Sequence, residues 1–308
     1  MTSKKRTILF HRWYHGYTGG HQKVYDYLTH TLASGQFDVN LWVENKASVN
    51  PELFTNITGV SYLDDYTPSE ADIIFLAGLD WKAYLPFYNP QQPIVNLIQH
   101  IRHGDPNHPL HQFLQYKAIR LCVSDAVRQA IAPFANGPCI TIKMGHQVPA
   151  IKVPKVRDLY ILAPKQPALG GALADWARSK GMSVLLHNKA VERDVVYSSM
   201  ASSRISLPLP NKTEGFFLPG IEAMKLSDWA VVPDCVASRE YSAKGANIVE
   251  CEHSEQGCRT GIHQALQQLS RPYRFYYQFH GKRRVAGYQL KQERKELQYI
   301  LAHLEQFW

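Results

Sequence analysis

Long apolar runs are absent from this 308-residue sequence, and its five cysteines include no Cys-x-x-Cys pair. No stretch approaches the roughly 20 apolar residues that a membrane-spanning helix needs, so any membrane contact is expected to be peripheral. The number of cysteines is odd, which does not suit a secreted domain held together by disulfides. The opening stretch also lacks the apolar core of a secretory signal. We therefore expect a protein of the reducing cytoplasm.

Acidic residues are also in the minority, since 26 Asp and Glu stand against 34 Lys and Arg, which gives a net charge of +8 at pH 7. This balance favours polyanions, acidic membrane surfaces or phosphorylated small molecules as partners. The basic residues do not alternate with aromatic residues as they do on a surface for single-stranded nucleic acid. We therefore expect no nucleic-acid partner. The net charge taken alone would suggest a nucleic-acid-binding protein, and this is the alternative.

The first half of the chain alternates short apolar runs with polar or helical segments. This alternation predicts α/β organisation with a largely parallel sheet. The predicted strands are residues 7–10, 39–43, 73–76, 94–98, 121–123 and 140–143, and a helix is predicted at 23–32. Because 308 residues exceed what one hydrophobic core usually holds, we expect a second domain.

A second α/β series follows the proline-bracketed linker QVPAIKVP at residues 147–154. Its predicted strands are residues 159–163, 183–187, 205–209 and 229–233, with helices at 171–180 and 190–200. Ligands of such sheets bind outside the carboxyl ends of the strands, and two domains also offer a cleft. In residues 289–308, charged and apolar residues alternate at helical spacing. We interpret this segment as a helix that packs by one face onto a domain, in preference to a helix on a membrane surface.

Gly19 and Gly20 lie in a loop between the first predicted strand and the helix after it. Glycines there allow backbone amides to approach a phosphate at a helix N-terminus, and an ordinary turn is the alternative.

Four histidines follow the strand at 94–98: His100, His103, His108 and His111. Their spacings match no helical zinc pair, so we expect no metal site. His100 either faces a ligand cleft or is a surface histidine.

The stretch EGFFLPGIEAM, residues 214–224, places carboxylates at both ends of an apolar run. The predicted helix begins at about Gly220, which would put Glu222 in its first turn, where the helix dipole favours a carboxylate. A capped helix start explains Glu222 but does not explain an apolar segment bracketed by two glutamates. We therefore interpret Glu214 and Glu222 as parts of one site.

EGFFLPGIEAM is similar to the paired-glutamate motif EGFGLPxxEAM, and VVPD follows it at the next strand. LCVSDAVRQAI and ITIKMGHQVP match further segments in the same order. With these motifs the chain resembles retaining GT-B glycosyltransferases of family 4. The resemblance implies two Rossmann-like domains that face each other across a cleft. Residues 1–150 would form the acceptor-side domain and 151–308 the nucleotide-sugar donor domain, with the last helix packing back on the first domain as an option.

The resemblance also implies roles around a nucleotide-sugar donor. Glu222 would bind the ribose hydroxyls, and Glu214 would bind the transferred sugar. The backbone amides of Phe216, Phe217 and Leu218 would lie near the diphosphate and the sugar. Gly19 and Gly20 would lie near the phosphates, and His100 would lie beside the sugar. Neither a metal nor a cofactor is implied. The carboxylates would bind the donor instead of serving as the acid and nucleophile of a glycoside hydrolase.

One departure from the family concerns the diphosphate. Family members carry Gly-Arg and a nearby lysine after the first strand of the second domain, whereas YILAPKQPALGG offers Lys165 and no arginine. Arg204 or Lys212 is expected to add a second cation. A non-catalytic scaffold that binds a glycan or a partner enzyme is therefore the alternative. The basic stretch GKRRVAGY near Gly281 is interpreted as a solvated loop in preference to a site for an acidic or lipid-linked acceptor.

Taken together, the sequence predicts a cytoplasmic, metal-independent, retaining hexosyltransferase. It would transfer a sugar from a nucleotide-sugar to a glycan or lipid-linked glycan in surface polysaccharide biosynthesis. Peripheral association with the inner face of the membrane is a further option.

Overall fold

The computed structural model describes residues 5–16, 18–44, 52–242 and 244–308. Contacts divide the chain into an N-terminal unit, Met1–Gly145 with Leu290–Trp308, and a C-terminal unit, His146–Gln289. Each unit contains one parallel sheet with helices in the connections between strands, which is the α/β class that the sequence predicts.

The strands of the N-terminal unit are β1 (Arg6–Arg12), β2 (Phe37–Val43), β3 (Val60–Tyr62), β4 (Ile73–Ala77), β5 (Ile94–Ile98), β6 (Ile119–Cys122) and β7 (Cys139–Thr141). Those of the C-terminal unit are β8 (Arg157–Leu162), β9 (Val184–His187), β10 (Ser203–Pro208), β11 (Trp229–Pro233) and β12 (Ile248–Cys251). Helices α1 (Gly19–Leu32), α2 (Trp81–Tyr84) and α3 (Asp125–Ile131) precede α4 (Pro167–Ser179), α5 (Arg193–Ala201), α6 (Leu218–Leu226), α7 (Ser238–Tyr241), α8 (Glu255–Leu269) and α9 (Arg274–Val285). The chain ends with α10 (Leu290–Ala302) and α11 (Leu304–Phe307).

The N-terminal sheet has the strand order β3-β2-β1-β4-β5-β6-β7, and all its pairs are parallel. The strands β4, β5 and β6 are buried along their whole length, as expected for a parallel sheet that is covered on both faces. The order reverses between β1 and β4, whose register pairs Ile8 with Ile73. The carboxyl ends of these two strands therefore define the switch point of this unit.

Helix α10 is fixed in the N-terminal unit by a buried ionic cluster. Lys23 Nζ on α1 lies 2.9 Å from the Glu293 carboxylate, and His30 Nε2 lies 3.1 Å from the same carboxylate. Burial alone would raise the pKa of Glu293, but the charge of Lys23 and the hydrogen bond from His30 outweigh it and lower the pKa overall. Because an unpaired buried charge is costly, this cluster specifies where α10 packs.

The C-terminal sheet has the order β12-β11-β10-β8-β9, again entirely parallel. Its core is formed by strand residues such as Ile161, Leu207 and Val231 together with Leu173 of α4 and Ile262 of α8. The order reverses between β8 and β10, which are hydrogen-bonded neighbours separated in sequence by β9. This is the switch point of the second unit.

All the predicted strands are present, and two strands were missed. These are β3 and β12, which lie at sheet edges, have only three and four residues, and are not fully buried, so they lack the continuous apolar run of a central strand. The C-terminal segment forms two helices that are separated at His303.

Three local predictions were wrong. The predicted loop at Gly19 and Gly20 is the first turn of α1, because the Thr18 hydroxyl caps the helix by accepting from the His21 amide at 3.2 Å. Helix α6 begins at Leu218, earlier than expected. Residues 281–285, predicted to be a loop, complete α9.

Candidate functional site

The site is built at the switch point of the C-terminal unit, where β8 and β10 end side by side. Lys165 follows β8 by three residues, and Glu214 follows β10 by six residues. The carboxyl ends of adjacent parallel strands meet at one edge of the sheet, and ligands of α/β proteins bind outside that edge. The strand order thus brings together two of the side chains that the sequence singled out.

Lys165 Nζ donates to Glu214 Oε1 in an ion pair. The Glu214 side chain is only 7% exposed, whereas that of Lys165 is 45% exposed. A tight turn holds the glutamate in place, since its backbone amide donates to the Asn211 carbonyl at 3.3 Å. The pair therefore presents a half-exposed cation, backed by a buried carboxylate, to anything that approaches this edge.

The apolar run between the glutamates anchors the turn into α6. Phe216 and Phe217 are buried, and the Phe216 ring packs 5.6 Å from that of Tyr288. The Tyr241 hydroxyl donates to the Phe217 carbonyl at 3.2 Å, and a Cβ at Gly220 would collide with that same tyrosine. The aromatic side chains thus face the interior and fix the start of α6.

The N-terminus of α6 follows Phe217 directly. Amides in the first turn of a helix have no intrahelical acceptor and favour an anion. Leu218 begins the helix, and Pro219, which has no amide hydrogen, occupies its second position. The fixed turn therefore places a helix N-terminus beside the ion pair of Lys165 and Glu214.

Glu222 is the fifth residue of α6, so it lies in the second turn and not in the first turn as predicted. The helix dipole therefore does not account for its position. Its carboxylate is buried and lies 2.8 Å from His146 Nε2 and 3.6 Å from the Arg193 guanidinium. Arg193 also lies 3.2 Å from both ring nitrogens of His146. Glu222, His146 and Arg193 therefore form one cluster, in which the side chains of Glu222 and His146 are buried and that of Arg193 is 33% exposed.

Sequence reasoning missed both partners of Glu222. His146 lies between the predicted strand at 140–143 and the predicted linker at 147–154, and no role was predicted for it. Arg193 is the first residue of α5. The sequence did contain a signal for Arg193. It is a basic residue at the start of the helix after β9, and that helix begins at the carboxyl edge of the sheet, where ligands bind.

The two expected additional cations have different positions. Arg204 is the second residue of β10, at the amino end of the strand, and pairs with Asp158 at 3.5 Å. It is therefore at the opposite edge of the sheet from Lys165, so the expectation for Arg204 was wrong. Lys212 lies in the loop after β10, where its carbonyl accepts from the Val236 amide at 3.3 Å.

The other predicted site residues lie in the N-terminal unit. Gly19 and Gly20 open α1, and Gln99 Nε2, from the segment after β5, donates to the Gly20 carbonyl at 3.2 Å. His100 is the next residue, is half-buried, and precedes a short 3-10 helix at Ile101–Gly104. Gln99 thus brings the predicted glycine pair and the segment that carries His100 together within this unit.

A buried ion pair that the sequence did not predict lies at the N-terminal switch point. Arg12 ends β1, and its guanidinium lies 3.2 Å from the Asp80 carboxylate, just past β4. The Asp80 carboxylate also accepts from the Ala77 and Trp13 amides at 3.0 and 3.3 Å. Burial raises the pKa of Asp80 to about 6, although Arg12 opposes the shift.

The four histidines after β5 have separate environments. Burial lowers the pKa of His103 to about 3, so its imidazole is neutral at neutral pH. The His111 ring nitrogen Nδ1 is 3.1 Å from the His103 carbonyl, and His108 Nδ1 accepts from the Leu110 amide. Within the described ranges no group of three or more His, Cys, Asp or Glu side chains is arranged to hold a metal ion.

Comparison with solved structures identifies the fold. The chain is similar to sucrose-phosphate synthase from Thermosynechococcus elongatus, with a TM-score of 0.73, 10% identity and coverage of 97% of this chain and 99% of that one. It is also similar to Anabaena HepE in complex with UDP-glucose (TM-score 0.70, 12% identity, 96% and 99% covered). A glycosyltransferase from Rickettsia africae gives a TM-score of 0.67 at 11% identity, with 97% and 99% covered. The fold is therefore that of GT-B glycosyltransferases.

No protein-family model and no curated protein sequence matches the chain. In the part of the chain that the structure describes, no helix has both the length and the apolar character to cross a membrane.

Proposed function

We propose that this protein transfers a sugar from a nucleotide-sugar donor to a glycan or lipid-linked glycan, with retention of configuration and without a metal. The observation that carries this proposal is the pairing of Lys165 with Glu214 at the switch point, beside the start of α6. A cation, a carboxylate and a helix N-terminus at one sheet edge suit the phosphate and hydroxyl groups of such a donor.

Donor binding is divided between the two glutamates. Glu214 accepts hydrogen bonds from hydroxyls of the transferred sugar, and Lys165 turns its ammonium toward the diphosphate. The backbone amides of Phe216, Phe217 and Leu218 complete the diphosphate site. Glu222 accepts from the ribose hydroxyls, and its carboxylate is oriented by His146 at 2.8 Å.

Arg193 is our candidate for the second cation, which the family normally provides with an arginine after the first strand of the domain. Its side chain is one-third exposed, and the residue starts α5 at the same edge of the sheet as Lys165. It already contacts Glu222, so it would act between ribose and diphosphate. Arginine is well suited to this position because its planar fork can donate to two phosphate oxygens at once.

The transfer step needs the growing charge of the leaving diphosphate to be stabilised. The acceptor oxygen forms its bond to the anomeric carbon on the face from which the diphosphate departs. The bond between that carbon and the phosphate oxygen breaks, and the acceptor proton passes to a phosphate oxygen.

The setting that we propose is the cytoplasm, in the assembly of surface polysaccharide. UDP-sugars are the first donors to test, because UDP-glucose is the ligand named for the HepE structure. A bound nucleotide raises the apparent melting temperature by mass action, so thermal shift with UDP, GDP and their sugar conjugates identifies the donor.

Nucleotide release then tests transfer, with EDTA present to test metal independence. We expect release to continue in EDTA. Loss of activity on chelation and recovery with manganese would overturn the metal-free mechanism. Saturable glycan binding without nucleotide binding or release would instead favour a non-catalytic scaffold.

A further inference from the structure

One segment of the C-terminal half carries nearly all of the excess positive charge. Residues 256–292 contain no Asp or Glu, while the whole chain carries 26. The basic residues in this segment are Arg259, Arg271, Arg274, Lys282, Arg283, Arg284 and Lys291. The charge of the molecule is thus strongly localised, and α9 lies within this segment.

The outward face of α9 is aromatic. Phe275, Tyr276 and Phe279 are each 60–63% exposed, and their spacing places them on one face of the helix. Lys282 and Arg283 extend that face by one further turn and are also exposed. In the described part of the chain, neither of these two basic side chains has an acidic partner within ion-pair distance.

The inward face of α9 is fixed to the rest of its unit. Tyr277 packs 5.7 Å from the Trp229 ring, and Val285 is buried. A Cβ at Gly281 would collide with the Asn247 side chain, so the glycine permits close packing at that point. The Arg284 guanidinium donates to the Tyr241 carbonyl at 2.9 Å. The aromatic face is therefore directed outward by a helix that is anchored along its length.

An exposed apolar cluster rimmed by charge marks an interaction surface. Phe and Tyr favour the boundary between headgroups and acyl chains, and each nearby Lys or Arg is attracted to anionic lipid. Single-stranded nucleic acid instead needs a basic groove that follows its backbone, whereas α9 offers a convex helix. The exposed rings and basic residues, in a segment of the sequence without acidic residues, are complementary to an anionic lipid surface.

We propose that α9 docks this protein on an anionic lipid bilayer. Phe275, Tyr276 and Phe279 enter the interface, and Lys282 and Arg283 contact the acidic headgroups. This surface is separate from the residues proposed to bind the donor. Docking does not require sugar transfer, although it would suit an acceptor that is held in a membrane.

Co-sedimentation with lipid vesicles tests the proposal directly. We expect the full-length protein to bind vesicles of phosphatidylglycerol mixed with phosphatidylcholine and not vesicles of phosphatidylcholine alone. F275S/F279S should reduce the partition coefficient by about tenfold or more, since two phenyl rings leave the interface. K282Q/R283Q should reduce it by about 30-fold, at roughly 1 kcal/mol for each basic residue near the surface.

Matched controls separate docking from general effects. Tyr299→Ser removes an equally exposed ring from α10, and K152Q/K180Q removes the same two charges from elsewhere in the C-terminal unit, so both should bind vesicles like the wild type. All four variants should keep the wild-type affinity for the nucleotide identified by thermal shift.

Several outcomes would overturn the proposal. They are a wild type that does not bind anionic vesicles, an equal loss of binding in the control variants, and binding to single-stranded nucleic acid without binding to vesicles. Because vesicle binding is measured without donor, its failure is distinguishable from a failure of the proposed sugar transfer.

Discussion

The two sheets each place a basic residue beside a carboxylate at the switch point, and the two pairs differ in their access to solvent. Arg12 and Asp80 in the N-terminal unit are 8% and 0% exposed. In the C-terminal unit, Lys165 is 45% exposed beside a buried Glu214. The closed pair has its charges satisfied within the protein, whereas the open pair has donor capacity left for a ligand. The same topological position therefore holds a closed ion pair in one unit and, in the other, the half-exposed pair that we propose binds the donor.

The sharpest test of this comparison removes the cation of the closed pair. Arg12→Met leaves the Asp80 carboxylate buried without its cation, and we expect it to lower the free energy of unfolding by about 3–5 kcal/mol. Lys165→Met is the comparison variant in the open pair and should lower the free energy of unfolding by less, because the Lys165 side chain is 45% exposed and solvent screens the interaction. Urea denaturation of both variants measures the difference. Similar losses would show that exposure does not distinguish the two pairs.

Removing the carboxylate of the open pair should affect chemistry more than folding. Glu214→Ala is expected to lower kcat by about 100-fold, because the contacts that we propose between Glu214 and the reacting sugar would act in the transition state. The nucleotide Kd should change little. Steady-state nucleotide release and calorimetric binding of the bare nucleotide separate the two effects. An unchanged kcat would remove Glu214 from the site.

Glu222 should show the opposite pattern. Glu222→Ala removes the charged acceptor to which we propose that the ribose hydroxyls donate, so the nucleotide Kd should rise by about 30-fold. His146→Ala should raise the same Kd by a smaller factor, since it acts by orienting the carboxylate, and His146→Gln should recover part of the loss. Titration calorimetry with the nucleotide measures all three variants. Wild-type affinity in Glu222→Ala would contradict the ribose assignment.

A pH dependence is also expected in the closed pair. The raised pKa of Asp80, about 6, means that the folded state holds its proton more tightly than the unfolded state does. Its contribution to stability is therefore fully present below pH 4 and is lost as the pH rises through 6. Asp80→Asn does not titrate, so its stability relative to the wild type should increase between pH 4 and 6. Parallel stability curves for the two proteins would show that the pKa of Asp80 is not raised.

The presence of a helix in EGFFLPGIEAM could be predicted from the sequence, whereas the residue at which the helix begins could not. The sequence predicted a helix that begins at about Gly220, and the structure confirms a helix here, α6, which begins at Leu218. The start of α6 was placed too late because Phe217 and Tyr241, which fix it, meet only through tertiary packing. In the same way, the capping hydroxyl of Thr18 extends α1 over Gly19 and Gly20.

The sequence by itself determined the α/β class, because buried parallel strands need apolar runs and such runs are visible in any window of a few residues. It also singled out Glu214 by its place in EGFFLPGIEAM, and the family resemblance singled out Lys165 after the first strand of the second domain. Only the tertiary structure decided that these two side chains meet, that Glu222 pairs with His146 at a sequence separation of 76 residues, and that the aromatic face of α9 points outward. The physical reason is that local patterns depend on adjacent residues, whereas the partner of a buried charge depends on strand order and packing across the whole unit.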